Sequence, residues 1–151
     1  MRETDVDRRL VTMKRISLCV VGVALTICGF ASAEDVTGSD KLLCAGVEAM
    51  YCDSSGECEF GHPLTWNMPE FLEIHLDEKM LRTTPAAPRL RESPIVNLQR
   101  NDGQIFLQGV ENARAYSIVV DEVTGVATIA IATNGITISV FAACTPIAAG
   151  E

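Results

Sequence analysis

The stretch that decides the fold is residues 101–142, NDGQIFLQGVENARAYSIVVDEVTGVATIAIATNGITISVFA. Runs rich in β-branched and aromatic residues alternate here with short turn sequences, at Asp102-Gly103, Glu111-Asn112-Ala113, Val123-Thr124-Gly125 and Asn134-Gly135. Asp-Gly and Asn-Gly between such runs favour two-residue hairpins, because type I′ turns need a positive φ at both central positions. With a turn about every ten residues, the stretch predicts a series of antiparallel strands.

The last of these runs shows the alternation of a strand that is buried on one side. One face carries Ile136, Ile138, Val140 and Cys144, and the other carries Thr137 and Ser139. Successive side chains of a strand point to opposite faces of the sheet, so the first set belongs to the core and the second faces outward.

Outward from this stretch, four shorter runs also indicate strands, at 42–50, 71–76, 79–83 and 95–98, and a proline-bounded loop occupies 85–94. The sequence therefore predicts an all-β fold, an antiparallel meander of about eight strands. Eight consecutive strands are enough to close a small up-and-down barrel, and an open sandwich is the alternative. In size and meander the chain resembles lipocalin-type barrels, a likeness of architecture that does not identify a function.

The N-terminal residues carry the pattern of an export signal. A basic pair at Lys14-Arg15 is followed by an apolar run at 16–30 and then by Ala31-Ser32-Ala33. These are the three regions of a secretory signal peptide, which we assign to 13–33. Residues 1–12 fit no part of a signal and are interpreted either as residues that precede a true start at Met13 or as an extended N-terminus. Residues 34–151 are then a single all-β domain. The apolar run is shorter than the roughly 20 residues of a transmembrane helix, so no stable membrane insertion is expected after cleavage.

Four cysteines remain once the predicted signal is removed: Cys44, Cys52, Cys58 and Cys144. An even number in an exported domain indicates disulfides. The spacing of Cys52 and Cys58 is wider than that of paired zinc ligands, so no metal site is expected. We predict a Cys52–Cys58 bridge across a tight turn. We also predict a Cys44–Cys144 bridge between the first and last strands, which are neighbours in a closed meander.

Charge narrows the possible partners. Residues 34–151 contain seven basic and seventeen acidic residues, a net charge of −10. Such a surface repels phosphate backbones, which argues against nucleic acid. It suits solubility or a basic protein partner.

Two groups of side chains are candidate binding sites. Phe60, His62 and Trp66 lie in a segment that contains the only tryptophan. This segment is either a recognition loop, since aromatic residues dominate binding hot spots, or a lid whose Trp66 fills one end of the barrel. Positive side chains gather around the proline-bounded loop and are candidate contacts for an anionic ligand: Arg82, Arg89, Arg91 and Arg100.

No nucleophile elbow, phosphate-binding glycine pattern or metal-ligand spacing occurs in the chain. We therefore expect neither an enzyme nor a cofactor. Two functions stay open for a periplasmic or secreted barrel of this kind. It binds an apolar small ligand or a protein partner, or it acts as an acidic inhibitor or adaptor of a basic exported hydrolase.

The export prediction is tested by sequencing the amino terminus of the exported protein. Cleavage after Ala33 gives a mature chain that begins at Glu34, because small residues at 31 and 33 fit the processing site. A species that keeps residues 16–30 in the membrane would contradict the predicted localisation.

Overall fold

The computed structural model of the chain describes residues 33–148. The predicted extended N-terminus and all of the predicted signal except Ala33 lie outside this range. The described part contains ten strands: β1 (Lys41–Asp53), β2 (Cys58–Gly61), β3 (Phe71–His75), β4 (Met80–Thr83), β5 (Glu92–Pro94), β6 (Asn97–Asn101), β7 (Gln104–Glu111), β8 (Arg114–Asp121), β9 (Val126–Thr133) and β10 (Ile136–Pro146). A single 3-10 turn at Pro63–Trp66 is its only helical element.

The strands form one antiparallel sheet that curls into a half-barrel, with the order β5-β4-β3-β1-β10-β9-β8-β7-β6. The predicted all-β antiparallel meander is confirmed, and a single curled sheet takes the place of the two packed sheets of a sandwich. The prediction of about eight strands missed β2 and β5, which have four and three residues. Both lack the buried alternation that reveals a strand in a sequence.

The centre of the sheet is the pairing of β1 with β10. Their register places Cys44 opposite Cys144, and these two residues form a disulfide. A second disulfide joins Cys52 of β1 to Cys58 of β2, which also face each other in register. Both predicted bridges are confirmed, and with them the predicted adjacency of the first and last strands.

The other edge of β1 is shared by two strands. Its first residues pair with β3 and its last residues pair with β2. Between the two contacts the register of β1 against β10 shifts at Gly46 and Glu48, which marks a β-bulge. Pro63 covers the bulge so closely that a Cβ at Gly46 would lie 3.0 Å from the Pro63 Cγ. The segment between β2 and β3 is therefore packed onto β1.

The two ends of the strand order are consecutive in the chain. Only Ile95 and Val96 separate β5 from β6. The amide of Ile95 donates to Lys79 on one side, and the amide of Val96 donates to Gln108 on the other. Residues 92–101 thus contact first one wing of the half-barrel and then the other.

The core lies inside the curl and consists of aliphatic side chains from most strands. The largest of those that are completely buried are Leu42, Ile74, Ile105, Leu107 and Ile118. In β10, Ile138, Val140 and Cys144 are buried, as the alternation predicted, and Ala142 is buried in the same row. Ile136, at the start of the strand, is only partly buried against this core. No helix within residues 33–148 has the length and apolarity needed to cross a membrane.

Removal of each disulfide separately measures what the two bridges contribute to stability. In the chain-entropy model a bridge that closes a loop of about 100 residues stabilises by up to roughly 4.7 kcal/mol, and one that closes about six residues by roughly 2 kcal/mol. We therefore expect Cys44→Ala/Cys144→Ala to lower the urea midpoint of unfolding far more than Cys52→Ala/Cys58→Ala. Equal losses in the two double variants would contradict a structural dependence on the β1–β10 pairing.

Candidate functional site

The candidate site is a cavity of about 70 Å³ inside the half-barrel. Its wall is aliphatic and comes from both wings of the sheet: Leu72, Leu81, Ile118, Ile129, Ile131 and Val140. This volume is several times what one water molecule needs, and it is far below the 300–1,000 Å³ typical of drug-sized sites. The cavity therefore has room for a small apolar group. It is too small to enclose a whole ligand of the size that lipocalins bind.

One side of the cavity is polar, and we call this set of lining residues the polar edge: Glu70, Thr83, Arg91, Ser93, Glu111 and Arg114. Glu70 is exposed, and Arg91, Glu111 and Arg114 are half-buried, whereas most of the aliphatic wall is buried. Thr83 and Ser93 are buried, so the cavity meets solvent at the charged members of the polar edge.

The strongest contact of the polar edge is a bidentate ion pair. Arg91 donates from Nε to Glu111 Oε1 at 3.0 Å and from an Nη atom to Oε2 at 2.7 Å. Thr83 holds the loop that carries this arginine, because its hydroxyl donates to the carbonyl of Arg89 and accepts from the amide of Arg91. The pair links the segment before β5 to the end of β7, across the two wings.

Electrostatics keep Glu111 ionised. Partial burial alone would raise the pKa of its carboxyl group. Hydrogen bonds from Arg91 and Ser93, together with the positive charges of Arg91 and Arg114, outweigh burial and hold this pKa below its ordinary value. Arg114 adds a second cation beside the pair. Its guanidinium forms no ion pair within 4.0 Å with any residue of the described range 33–148.

A tight hairpin brings Glu111 and Arg114 together. The two residues pair at the ends of β7 and β8, and Asn112 and Ala113 form the turn between them with φ of 47° and 61°. Positive φ at both central positions is the signature of a type I′ turn. The sequence pattern indicates only a turn in this segment, so Glu111 and Arg114 were not predicted as site residues. The available sequence signal for these residues was a pair of oppositely charged side chains on either side of a two-residue turn.

A tyrosine closes the cavity beside this hairpin. Tyr116 lines the cavity, and its hydroxyl donates to the carbonyl of Pro94 at 2.6 Å, which ties β8 to β5. The ring passes over Gly109, where an added Cβ would lie 2.4 Å from the hydroxyl oxygen and 2.5 Å from the Pro94 carbonyl oxygen. Only glycine leaves room for this contact.

The predicted binding loop lies apart from the cavity. Phe60 is 64% exposed, and His62 is exposed and caps the 3-10 turn, where its Nδ1 accepts from the amide of Leu64 at 3.4 Å. Trp66 is half-buried and stacks on Tyr51 with ring centroids 5.9 Å apart. The fully buried residue of the loop is Pro63. Its continuation through Met68 and Pro69 does line the cavity.

The predicted anion contacts do not converge on one site. Of these arginines, only Arg91 lines the cavity. Arg82 lies on the opposite face of β4 and pairs with Glu78 at 2.7 Å and Glu92 at 3.1 Å.

The other two predicted arginines lie elsewhere. Arg89 is exposed on the loop before β5. Arg100 donates to the carbonyl of Ser39 and lies 3.7 Å from a carboxylate oxygen of Glu122 and 4.0 Å from one of Asp40.

His75, the last residue of β3, is buried. It lies 3.0 Å from Glu73 and 3.5 Å from both Glu78 and Arg82. One ligand atom each of His75, Asp77 and Glu78 lies within 4.8 Å of the others. Arg82 engages Glu78 there and, by its hydrogen bond, holds the pKa of that carboxyl below its ordinary value. Ion pairing therefore accounts for this cluster.

No protein-family model, curated protein or solved structure matches this chain.

The tyrosine contact has a consequence at alkaline pH. Burial first, and the nearby charge of Glu111 second, raise the pKa of Tyr116 to about 12, against 10.0 for an ordinary tyrosine. Between these values the unfolded chain loses a proton that the folded chain keeps, so the free energy of unfolding falls as pH rises through the window. Urea unfolding at several pH values should show this fall in the wild type and lose most of it in Tyr116→Phe.

Absorbance titration of the native protein provides the control, because the chain contains only two tyrosines. Tyr51→Phe should keep the late ionisation, and Tyr116→Phe should remove it. If both variants titrate alike, the assignment of the late step to Tyr116 is wrong.

Proposed function

We propose that the chain is an exported, non-enzymatic binding module that holds the apolar end of a small amphipathic ligand. The observation that carries the proposal is the cavity, with its aliphatic wall and its polar edge. Apolar surface that leaves water on binding contributes roughly 25 cal/mol per Å², while polar groups at the entrance fix orientation. The cavity combines the two features in a single site, because its wall is apolar and its edge is polar.

The position of Arg114 in the polar edge favours a ligand with an anionic head group. Arg91 is engaged by Glu111, whereas Arg114 stands beside that pair and contributes positive charge to it. A carboxylate that approaches Arg114 gains a charge-assisted hydrogen bond without the loss of the Arg91–Glu111 pair. A neutral head group lacks this gain.

Two further features support a binding role in an oxidising compartment. The cavity lining contains carboxylates and arginines, but no histidine, and its one cysteine, Cys44, is in a disulfide, so the residues described there offer no activated nucleophile. Both described disulfides are of the kind that persists outside the cytosol. A periplasmic or secreted location is accordingly part of the proposal.

The second candidate function is that of an acidic inhibitor or adaptor of a basic exported hydrolase. Its support is the charge of −10 over residues 34–151. Complementary charge accelerates association and selects partners, and exposed Phe60 and Leu64 would supply apolar contacts next to acidic neighbours. Binding to a basic lysozyme, as a representative cell-wall hydrolase, tests this candidate separately.

Ligand binding is tested by isothermal titration of the purified protein with butyrate, hexanoate, octanoate and decanoate. We expect affinity to rise with chain length and to level off once the cavity is filled. Alcohols of the same chain lengths should bind to the wild type more weakly than the acids do. Arg114→Gln should raise the dissociation constants of the carboxylates about tenfold and leave those of the alcohols unchanged.

Neighbouring alanines on opposite faces of β10 supply a matched pair of variants. Ala142 lines the cavity, and Ala143 does not. Ala142→Leu should fill the cavity and abolish binding, while Ala143→Leu should bind as the wild type does. Absence of saturable binding for every acid, or equal binding by the two variants, would overturn the proposal.

A further inference from the structure

The outer face of strands β6 to β10 is almost free of charge. The side chains that do not enter the core point to this face, because successive residues of a strand alternate between the two faces of the sheet. In β9 they are Val126, Thr128, Ala130 and Ala132. Over the outward positions of the five strands, the single charged residue is Asp121, at the end of β8. Strands with one face in water ordinarily carry polar and charged residues there. In a chain this acidic, so large an uncharged face needs a separate explanation.

The same face is not flat. An open groove of about 700 Å³ crosses it, with small side chains such as Ala115, Ser117, Ala130 and Ser139 in its lining. Beside the groove, the cross-strand register places larger side chains in the next row, where Phe106 pairs with Val119 and Phe141 pairs with Thr128. Phe141 is 44% exposed. A ridge and a groove of similar chemistry thus lie side by side on one surface.

We propose that this face binds a second copy of the chain, with the ridge of each copy in the groove of the other. A two-fold interface uses the same patch on both partners, so it requires a surface that carries both complementary features. Two copies of residues 34–151, each with a net charge of −10, repel each other, and contact through the uncharged face keeps their acidic residues apart. This inference rests on the outer face alone and is independent of the ligand proposed for the cavity.

The size of the face suits such a dimer. Five strands about 4.8 Å apart and about eight residues long, at about 3.3 Å per residue, span a flat area of roughly 600 Å². Side-chain relief increases the accessible area above this value. Stable interfaces bury about 800 Å² on each partner, so the face is of the right order.

Sedimentation equilibrium measures the dimer directly. The protein is expressed from its full sequence, so that its N-terminal segment is processed during export, and it is purified with its disulfides intact. We expect a concentration-dependent change from one chain mass to two. Added salt should strengthen the association, because it screens the repulsion between acidic chains. Ala130→Glu and Phe141→Ser should each raise the dissociation constant at least about tenfold, the first by placing an unpaired carboxylate in the groove.

Val123→Glu is the matched control, because it adds the same charge at a 65% exposed position in the β8–β9 turn, outside the face. It should dimerise nearly as the wild type does, and far-ultraviolet circular dichroism should show that all variants fold. A wild type that is monomeric at every concentration, or that gains mass only with a different protein, overturns the proposal. Three further outcomes would also overturn it: a dissociation constant that neither Ala130→Glu nor Phe141→Ser changes, a dimer that is weakened by added salt, and assembly that continues beyond two chains.

Discussion

The pairing of β1 with β10 is the interaction on which the rest of the structure depends. Eleven residue pairs and one buried disulfide join these strands, whose cysteines are 100 residues apart in the chain. Every other strand is attached to one of the two: β2, β3, β4 and β5 extend from β1, and β9, β8, β7 and β6 extend from β10. Without this pairing the molecule is two separate small sheets, each with an uncovered apolar face, and small sheets of that kind are marginally stable in water.

The cavity is a product of the same arrangement. Its aliphatic wall needs both wings, since Leu72 and Leu81 come from one and Ile118 and Ile129 from the other. The wings meet a second time through polar contacts, the Arg91–Glu111 pair and the bond from Tyr116 to Pro94. Because these contacts lie at the side where the cavity opens, stability and access to the proposed ligand site depend on the same few residues.

Much of the fold could be predicted because its signals are local. Alternation and turn chemistry located β7 to β10, and the order of a closed meander was enough to pair Cys44 with Cys144. The short strands β2 and β5 gave no such signal, since β2 is mostly exposed and β5 ends in a proline. The candidate site was largely beyond prediction, because Arg91 and Glu111 are twenty residues apart and only the curl of the sheet brings them together. Sequence proximity had grouped Arg82 with Arg91, but alternation along β4 places Arg82 on the face opposite the cavity.

The position of β10 at the end of the meander has a consequence for biosynthesis. Chains are made from the N-terminus at about 5–20 residues per second, so β1 exists for on the order of ten seconds before its main partner has been made. During that interval β1 is an unpaired strand edge, of the kind that promotes aggregation, and Cys44 is a free thiol. The β2 hairpin and its local disulfide can form early and cover part of one edge of β1. A chain truncated before β10 lacks the partner strand of β1 and the partner cysteine of Cys44, so it keeps both the open edge and the free thiol.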